Sequence, residues 1–291
     1  MFASNFLASG WTQAMSSNEQ ISVAQLSRLV GLPDAPAIVD VRIDEDVAAD
    51  PLLLPGSVRR DYRTVADWGA EFAAQRRVVV VCHRGLKLSE GVAAWLRHRG
   101  IPAETLEGGH QAWRQAGGMV FSPERLPPGA SASGSVWVTR ARPKIDRIAC
   151  PWLIRRFIDR QAVFLFVAAS EVEAVAERFG ATPFDIEGVF WSHRGPLCTF
   201  DAMIEEFRLA SPTLDRLARI VRAADTATLE AEPQAAGLLA ASLGLSRMYK
   251  HDLDQLEAGM LLYDAFYRWC RDAAEETHNW PVPKPAGEAR R

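Results

Sequence analysis

The feature that most constrains the fold is the run Arg77-Val78-Val79-Val80-Val81-Cys82. β-Branched side chains favour extended backbone, and an uninterrupted apolar run is typical of a strand buried on both faces of a parallel sheet. A second apolar run at 37–41 predicts another strand, and a helical pattern follows at 88–99. This alternation of strands and helices predicts an α/β domain with a parallel sheet.

The composition changes between Ser122 and Ser135, where Pro, Gly and Ser replace large apolar residues. Such a stretch is typical of a linker, and 291 residues are enough for two domains with their own cores. Helical signals dominate after it, so we expect a helix-rich α+β domain to follow. The predicted divisions are a flexible tail at 1–19, the first domain at 20–121, the linker at 122–134, the second domain at 135–280 and a flexible tail at 281–291.

Proline and capping residues mark the expected helices of the second half. Pro151 suits the first turn of a helix that reaches Ile158, and Ser211-Pro212 begins another with proline at the first helical position. We expect Thr199 to cap a third helix. Asp225 ends an otherwise apolar helical run.

Charge and cysteine content exclude several classes of protein. Lys+Arg 33 against Asp+Glu 36 leaves no overall electrostatic footprint for nucleic acid, and four cysteines without a CxxC pair exclude a disulfide framework or zinc ribbon. No apolar run is long enough to span a bilayer. Because residues 1–20 lack the pattern of an export signal, we expect a cytoplasmic protein with neither a membrane nor nucleic acid as partner.

Cys82 ends the most apolar strand and is followed by His83-Arg84-Gly85-Leu86-Lys87. Ligand sites of parallel sheets lie at the carboxyl ends of the strands, where Asp40 and Arg42 also fall. Backbone N–H groups, nearby cations and a helix amino end favour a thiolate over a thiol. A lone cysteine is usually a small buried hydrophobe, but its glycine and basic neighbours favour a nucleophile here.

These segments resemble the rhodanese domains, which carry sulfane sulfur on a cysteine as a persulfide. The resemblance covers about residues 20–120 and departs from the family at Lys87, where the loop commonly has arginine. Leu88 stands where a phosphatase C-x5-R loop would place its arginine, which favours persulfide chemistry over phosphate chemistry. The matching motifs are Ile38-Val39-Asp40-Val41-Arg42, Leu54-Pro55-Gly56-Ser57, the loop from Cys82 to Lys87, and Leu106-Glu107-Gly108-Gly109-His110-Gln111-Ala112-Trp113.

The resemblance implies different roles for the residues in and near the loop. Cys82 is the expected nucleophile, and Arg84 and Lys87 are expected to hold an anionic donor, thiosulfate or a persulfide. Asp40 and Arg42 complete the candidate catalytic set, and we interpret them chiefly as a pair that orders the loop. The acceptor is a thiol or cyanide, and sulfur transfer requires no cofactor. The candidate substrate-binding residues are His83, Gly85, Leu86 and Leu88.

The second half carries a separate set of potential ligands. His193, Cys198 and Asp201 precede or begin a helix, and Asp225 ends a later one. Soft and hard ligands together suit a transition metal, so these four residues are the candidate metal ligands. The alternatives are an oxyanion held near Arg147 and Arg155, or purely structural roles.

Four further segments of the second half are distinctive: the segment from Pro143 to Ile158, Pro183-Phe184-Asp185-Ile186, Ser192-His193-Arg194-Gly195 and Pro233-Gln234-Ala235-Ala236-Gly237-Leu238-Leu239. Over about residues 135–275 they resemble the C-terminal domain of ChrB, a family of bacterial chromate-resistance and chromate-sensing proteins. The resemblance implies a stress context with chromate as a ligand and does not define a mechanism.

Two functions are weighed. The first is a cytoplasmic rhodanese-type sulfurtransferase linked to chromate or to oxidative and metal stress resistance. The alternative is a chromate- or metal-binding sensor in which the rhodanese-like domain is a redox switch. The sequence shows neither a recognition helix nor a basic domain of a DNA-binding regulator, and the presence of Cys82 argues against a non-catalytic interaction module.

Overall fold

A computed structural model describes residues 19–127, 130 and 134–276. The chain divides into two compact units, the first formed by Met1–Leu29, Pro36–Ala49 and Arg59–Gly118, and the second by Val30–Ala35, Asp50–Val58 and Met119–Arg291. The predicted tails, apart from Glu19, and residues 128–129 and 131–133 of the predicted linker lie outside the described residues. The domain boundaries therefore stay predictions. Within the described residues, no helix combines the length and apolar character needed to cross a membrane.

The first unit is built on a five-stranded sheet in the order β1-β5-β4-β2-β3, and the pairs β1/β5, β5/β4 and β4/β2 are parallel. The strands of this sheet are β1 (Gln20–Ile21), β2 (Ala37–Asp40), β3 (Ser57–Arg59), β4 (Val78–Val81) and β5 (Ala103–Leu106), and of β3 only Arg59 falls within the first unit. Its helices are α1 (Val23–Leu29), α2 (Asp44–Ala49), α3 (Val65–Trp68), α4 (Lys87–His98) and α5 (Gly109–Gln115), with short 3-10 turns at Tyr62–Thr64 and Gly69–Phe72.

β4 is the centre of this sheet, and all of its valines are inaccessible to solvent. It pairs with β2 in a register that sets Val81 opposite Asp40. Val92, Ala93 and Leu96 form the buried face of α4, which packs against β4 and β5. The predicted buried strand is confirmed, and the register brings the residues that follow β2 and β4 to one edge of the sheet.

The second unit contains a parallel three-stranded sheet in the order β7-β6-β8 and is otherwise mostly helical, as predicted. Its strands are β6 (Val136–Arg140), β7 (Val163–Val167) and β8 (Thr182–Pro183). Its helices are α6 (Asp146–Leu153), α7 (Val172–Phe179), α8 (Thr199–Glu206), α9 (Pro212–Asp225), α10 (Ala235–Met248) and α11 (Asp252–Arg268), with 3-10 turns at Pro123–Arg125, Ala169–Glu171 and Leu229–Ala231.

The prediction that Pro151 lies in the first turn of a helix is wrong. α6 begins at Asp146, so Pro151 lies inside it. Because proline has no backbone N–H, the carbonyl of Arg147 lacks its usual donor four residues later. The helix then widens into a π turn at Ile154–Ile158.

At the starts of α8 and α9, side chains accept backbone N–H groups. The predicted start at Ser211-Pro212 is confirmed, because Ser211 Oγ accepts the Leu214 N–H at 3.4 Å. The cap predicted at Thr199 is one residue too late. Cys198 is the N-cap of α8, and the Asp201 carboxylate accepts its backbone N–H at 3.0 Å.

Trp152 of α6 anchors the aromatic core of the second unit. Its ring lies 5.5 Å from the rings of both Phe157 and Tyr267, and its indole N–H donates to Asp264 at 2.8 Å. The same carboxylate accepts two hydrogen bonds from Arg156. The buried indole therefore has a polar partner, and α6 is fixed against α11.

Candidate functional site

Cys82 directly follows β4, and only 4% of its surface is exposed. Its Sγ lies 3.2 Å from Ser89 Oγ and 3.9 Å from the Leu86 carbonyl oxygen. Ser89 belongs to the first turn of α4, where backbone N–H groups have no partner within the helix and carry partial positive charge. The sulfur therefore lies beside the first turn of α4.

Two glycines let the loop after Cys82 pack closely against the segment before α5. A Cβ on Gly85 would lie 2.4 Å from the Leu106 carbonyl oxygen, and one on Gly109 would lie 2.3 Å from the Cys82 carbonyl oxygen. Both glycines have positive φ values, +69° and +61°. The His110 N–H donates to the Cys82 carbonyl at 2.9 Å. The Gly-Gly motif therefore closes the loop by backbone contact.

The cationic side chains of this loop face solvent. Arg84 and Lys87 are exposed, and neither contacts a carboxylate of the described residues. Leu86 exposes 56% of its surface, and Leu88 is half-buried. His83 is half-buried, and its Nδ1 has no hydrogen-bond partner among the described atoms. The loop that follows Cys82 thus carries accessible positive charge and an exposed apolar side chain.

Asp40 and Arg42 form a buried ion pair at the end of β2. Arg42 Nε donates to Asp40 Oδ2 at 2.8 Å, and the backbone N–H of Arg42 donates to Asp40 Oδ1 at 2.9 Å. Since both side chains are closed to solvent, this geometry favours the ordering role over contact with a donor.

The second unit brings four potential ligands together, which we name the acid–histidine cluster: Asp146, Asp185, His193 and Asp225. His193 Nε2 lies 3.1 Å from Asp225 Oδ2, and 3.6 Å from both Asp146 Oδ2 and Asp185 Oδ1. One ligand atom from each of Asp146, Asp185 and His193 lies within 4.8 Å of the other two. Four residues that are distant in sequence therefore share one site.

Asp146 and Asp185 are fixed by the amino end of α8. Asp146 Oδ2 accepts the N–H groups of Thr199 at 2.5 Å and Phe200 at 3.3 Å. Thr199 Oγ1 donates to Asp185 Oδ1 at 2.9 Å. Asp146 Oδ1 is fully buried and has no hydrogen-bond partner among the described residues. One carboxylate oxygen in the cluster is thus held firmly and another is left unsatisfied.

The backbone is strained on the approach to the cluster. Ile145, which directly precedes Asp146, has a φ of +38°, and Asp185 has a φ of +52°. Positive φ is costly for a β-branched residue and persists only where surrounding contacts enforce it. The position of Asp146 is therefore imposed by the tertiary structure.

Burial and mutual repulsion raise the pKa values of two carboxyl groups in the cluster, Asp146 and Asp225. Burial, together with the charges of Asp225 and Asp185, raises the pKa of Asp146 well above its usual range. Burial and the charge of Asp185 raise the pKa of Asp225, while His193 opposes that rise. Arg147 Nε lies 3.2 Å from Asp185 Oδ2 and offsets part of the negative charge. The close packing of these carboxyl groups therefore disfavours their ionised forms.

The structure brings together two of the four residues predicted as metal ligands, His193 and Asp225. Asp201 instead receives two hydrogen bonds of 2.8 Å from Arg222. Cys198 is buried, and burial and Asp146 raise the pKa of its thiol. Neither belongs to the closely spaced group, which consists of Asp146, Asp185 and His193; Asp225 joins it through its 3.1 Å contact with His193.

The basic region considered for an oxyanion is engaged in other contacts. Arg155 pairs with Glu257 at 2.6 Å, and Arg147 Nη1 donates to the Ala141 carbonyl at 3.0 Å. With Arg147 Nε turned towards Asp185, this region does not present a group of unpaired guanidinium ions.

Comparison with known proteins separates the two parts of the chain. Residues 137–270 match the protein family described as "ChrB, C-terminal domain". "Protein ChrB" of Cupriavidus metallidurans is 36% identical over 93 residues, which are 32% of this chain and 28% of that protein. The match thus spans less than a third of the length of that relative.

Several solved structures resemble about a third of the chain. A Rhodopseudomonas palustris protein of unknown function, described as a "Possible Tyrosine Phosphatase", has 29% identity over 36% of this chain and 86% of its own, with a TM-score of 0.33. A rhodanese-like domain protein of Staphylococcus aureus has 29% identity over 33% of this chain and 90% of its own, with a TM-score of 0.30. A thiosulfate sulfurtransferase of Pseudomonas aeruginosa has 22% identity over 37% of this chain and 20% of its own, with a TM-score of 0.33. Residues 137–270 of this chain are therefore similar to the C-terminal domain of ChrB.

Proposed function

We propose that the first unit is a sulfurtransferase that carries sulfane sulfur as a persulfide on Cys82. The observation that supports this most directly is the position of Cys82 Sγ, beside Ser89 in the first turn of α4. A persulfide is an anion at neutral pH, and a helix amino end stabilises it as it stabilises other anions. The loop closed by Gly85 and Gly109 keeps the sulfur in that place.

The reaction needs only the loop and its two substrates. The Cys82 thiolate attacks the outer sulfur of thiosulfate, a new S–S bond forms at Sγ, the old S–S bond breaks, and sulfite leaves with the electron pair. A thiol or cyanide then attacks the outer sulfur of the persulfide. The Sγ–S bond breaks, the sulfur moves to the acceptor, and the Cys82 thiolate is restored. Neither step requires an oxidant or a cofactor.

Donor recognition is assigned to the exposed side of the loop. Arg84 and Lys87 are accessible cations without a carboxylate partner among the described residues, so both can approach the sulfonate group of thiosulfate. His83, Gly85, Leu86 and Leu88 border the same space. Leu88 stands where a C-x5-R loop has its arginine, and its side chain has neither a charge nor a hydrogen-bond donor for the oxygens of a phosphate ester.

We place this activity in the cytoplasm and in resistance to chromate or to oxidative and metal stress. The ChrB C-terminal domain at residues 137–270 supports the link to chromate. The proposed partners are a small anionic sulfur donor, a thiol or cyanide acceptor, and chromate as a ligand of the chain.

One observation favours a second candidate function. The acid–histidine cluster in the second unit has the composition of an ion site. In that case the chain is a chromate- or metal-binding sensor. Cys82 then acts as a redox switch and does not catalyse sulfur transfer. The two functions differ in whether Cys82 gains sulfur and passes it on.

Intact-mass analysis decides between them. After incubation with thiosulfate, polysulfide or a cysteine persulfide, we expect a gain of about 32 Da, one sulfur atom, which a thiol acceptor removes. Cys270→Ser is the matched control, because burial raises the pKa of the Cys270 thiol to about 11 and keeps it protonated. The control should gain the same mass, and Cys82→Ser should gain none. No mass gain with any of the three donors would overturn the sulfurtransferase proposal.

A further inference from the structure

We propose that the acid–histidine cluster binds one divalent first-row transition-metal ion, held by the carboxylates of Asp146, Asp185 and Asp225 and the imidazole of His193. This site differs from the one predicted from the sequence, because Asp146 and Asp185 replace Cys198 and Asp201.

Three of the four ligands lie close enough together for one ion, since one atom from each of Asp146, Asp185 and His193 lies within 4.8 Å of the other two. Oxygen and nitrogen ligands lie about 2.0–2.2 Å from such a metal, which places neighbouring ligand atoms about 3–3.5 Å apart. His193 Nε2 lies 3.1 Å from Asp225 Oδ2 and 3.6 Å from an oxygen of Asp146 and of Asp185. Side-chain movements that bring all four ligand atoms to about 3–3.5 Å from one another would complete the coordination.

Asp146 Oδ1 gives an independent reason for a ligand. Asp146 is 0% exposed, and this oxygen has no hydrogen-bond partner among the described residues. Its other oxygen is satisfied by two backbone N–H groups of α8. A buried carboxylate oxygen without a donor is costly, and a bound cation would supply the missing partner.

In the part of the chain that the structure describes, the nearby cationic groups do not balance three ionised carboxylates. Arg147 approaches Asp185, but its Nη1 is directed to the Ala141 carbonyl. A protonated His193 has a single N–H at Nε2, so it can serve one carboxylate at a time. A divalent ion in the middle of the cluster would contact all of them at once.

The donor set also indicates the kind of ion. Carboxylates suit Mg²⁺, Ca²⁺ and Mn²⁺, and imidazole suits iron, copper, nickel and zinc, so three carboxylates with one imidazole favour Mn²⁺, Fe²⁺ or Zn²⁺. The His193 side chain is 41% exposed, so the site is reached from solvent on that side. Chromate is itself an anion, and the negative charge of the cluster disfavours its direct binding there.

The test uses Mn²⁺ and the full chain, purified without a metal-affinity tag and stripped with a chelator. Free Mn²⁺ gives an electron paramagnetic resonance signal that is lost on binding, so a titration yields stoichiometry and affinity. We expect one Mn²⁺ per chain, displaced by Zn²⁺. Asp225→Asn and His193→Ala should each weaken binding by about tenfold or more.

Matched controls lie in the same unit. Asp215→Asn makes the same change at an exposed position near the other end of α9, and His251→Ala removes an exposed imidazole whose side chain caps nothing. Both controls should keep the affinity of the parent chain. Circular dichroism checks that each variant is folded. Asp225 lies at the end of its helix, so its substitution tests the site without disturbing the fully buried Asp146.

Two results would overturn the proposal. One is a titration in which the parent chain removes no stoichiometric Mn²⁺ and Zn²⁺ leaves its melting temperature unchanged. The other is binding that survives in both Asp225→Asn and His193→Ala. Since these measurements do not involve sulfur transfer, they succeed or fail independently of the function proposed for Cys82.

Discussion

Arg42 Nη2 lies 2.7 Å from Asp40 Oδ2 in an ion pair whose two side chains are at most 1% exposed. Removing one charge of a buried pair leaves the other without its partner in a medium that solvates it poorly. We therefore predict that Asp40→Asn lowers the free energy of unfolding of the first unit by about 3–5 kcal/mol. Urea denaturation followed by circular dichroism measures the change.

The same variant separates an ordering role from a catalytic one. If the pair only orders the loop, the KM for thiosulfate of the folded variant should stay within about twofold of the parent value. Asp44→Asn is the control, since Asp44 is almost fully exposed in its contact with Arg59 and surface pairs contribute little. A large rise in KM at unchanged stability would assign Asp40 to the donor site.

Cys82→Ser should abolish sulfur transfer and leave the fold intact. Serine is nearly the same size and can keep the contact with Ser89 Oγ, but it lacks the polarizable nucleophile. Thiocyanate formation from thiosulfate and cyanide measures the activity. Persulfide transfer by the purified variant would contradict the assignment of Cys82 as the carrier.

Lys87→Arg should lower the apparent KM for thiosulfate while kcat changes little. The guanidinium group binds an oxyanion through two parallel hydrogen bonds, whereas the ammonium group acts as a point charge. Steady-state kinetics at several thiosulfate concentrations give both constants. An unchanged or higher KM would mean that Lys87 does not contact the donor.

Gly85→Ala and Gly91→Ala should change stability in opposite directions. A Cβ at Gly85 would meet the Leu106 carbonyl oxygen in a residue of positive φ, so we expect a loss of about 2 kcal/mol or more together with lower activity. Gly91 lies within α4 and a Cβ there meets nothing within 4 Å. Its replacement should add about 0.5–1 kcal/mol. Thermal unfolding of the two variants measures both changes in stability.

The sequence was most informative where the chemistry is local. The valines of β4, the cysteine and the loop glycine are neighbours in the chain, so a strand, its end and the following helix could be predicted together. The resemblance to rhodanese domains added Gly109, whose contact with the Cys82 carbonyl is not a short-range pattern.

The cluster in the second unit depends on tertiary packing, which explains why only His193 and Asp225 of its four residues were among the predicted ligands. Asp146 lies among arginines, and this surrounding charge favoured an oxyanion site. The position of Asp185 beside it depends on Thr199 and on a positive φ, and neither follows from residue spacing. Conversely, Asp201 has the sequence pattern of a ligand but is neutralised by Arg222 from another helix.

The left-handed backbone of Ile145 couples the cluster to a helix that contributes no ligand. Tyr263 of α11 donates to the Ile145 carbonyl at 3.0 Å, and Gln255 of the same helix donates to the Pro143 carbonyl at 2.5 Å. If α11 opens by local unfolding, Ile145 loses this restraint and relaxes, and Asp146 is carried out of the cluster. An ion bound by Asp146 would oppose that opening, so the amide protons of α11 should exchange with solvent more slowly in its presence.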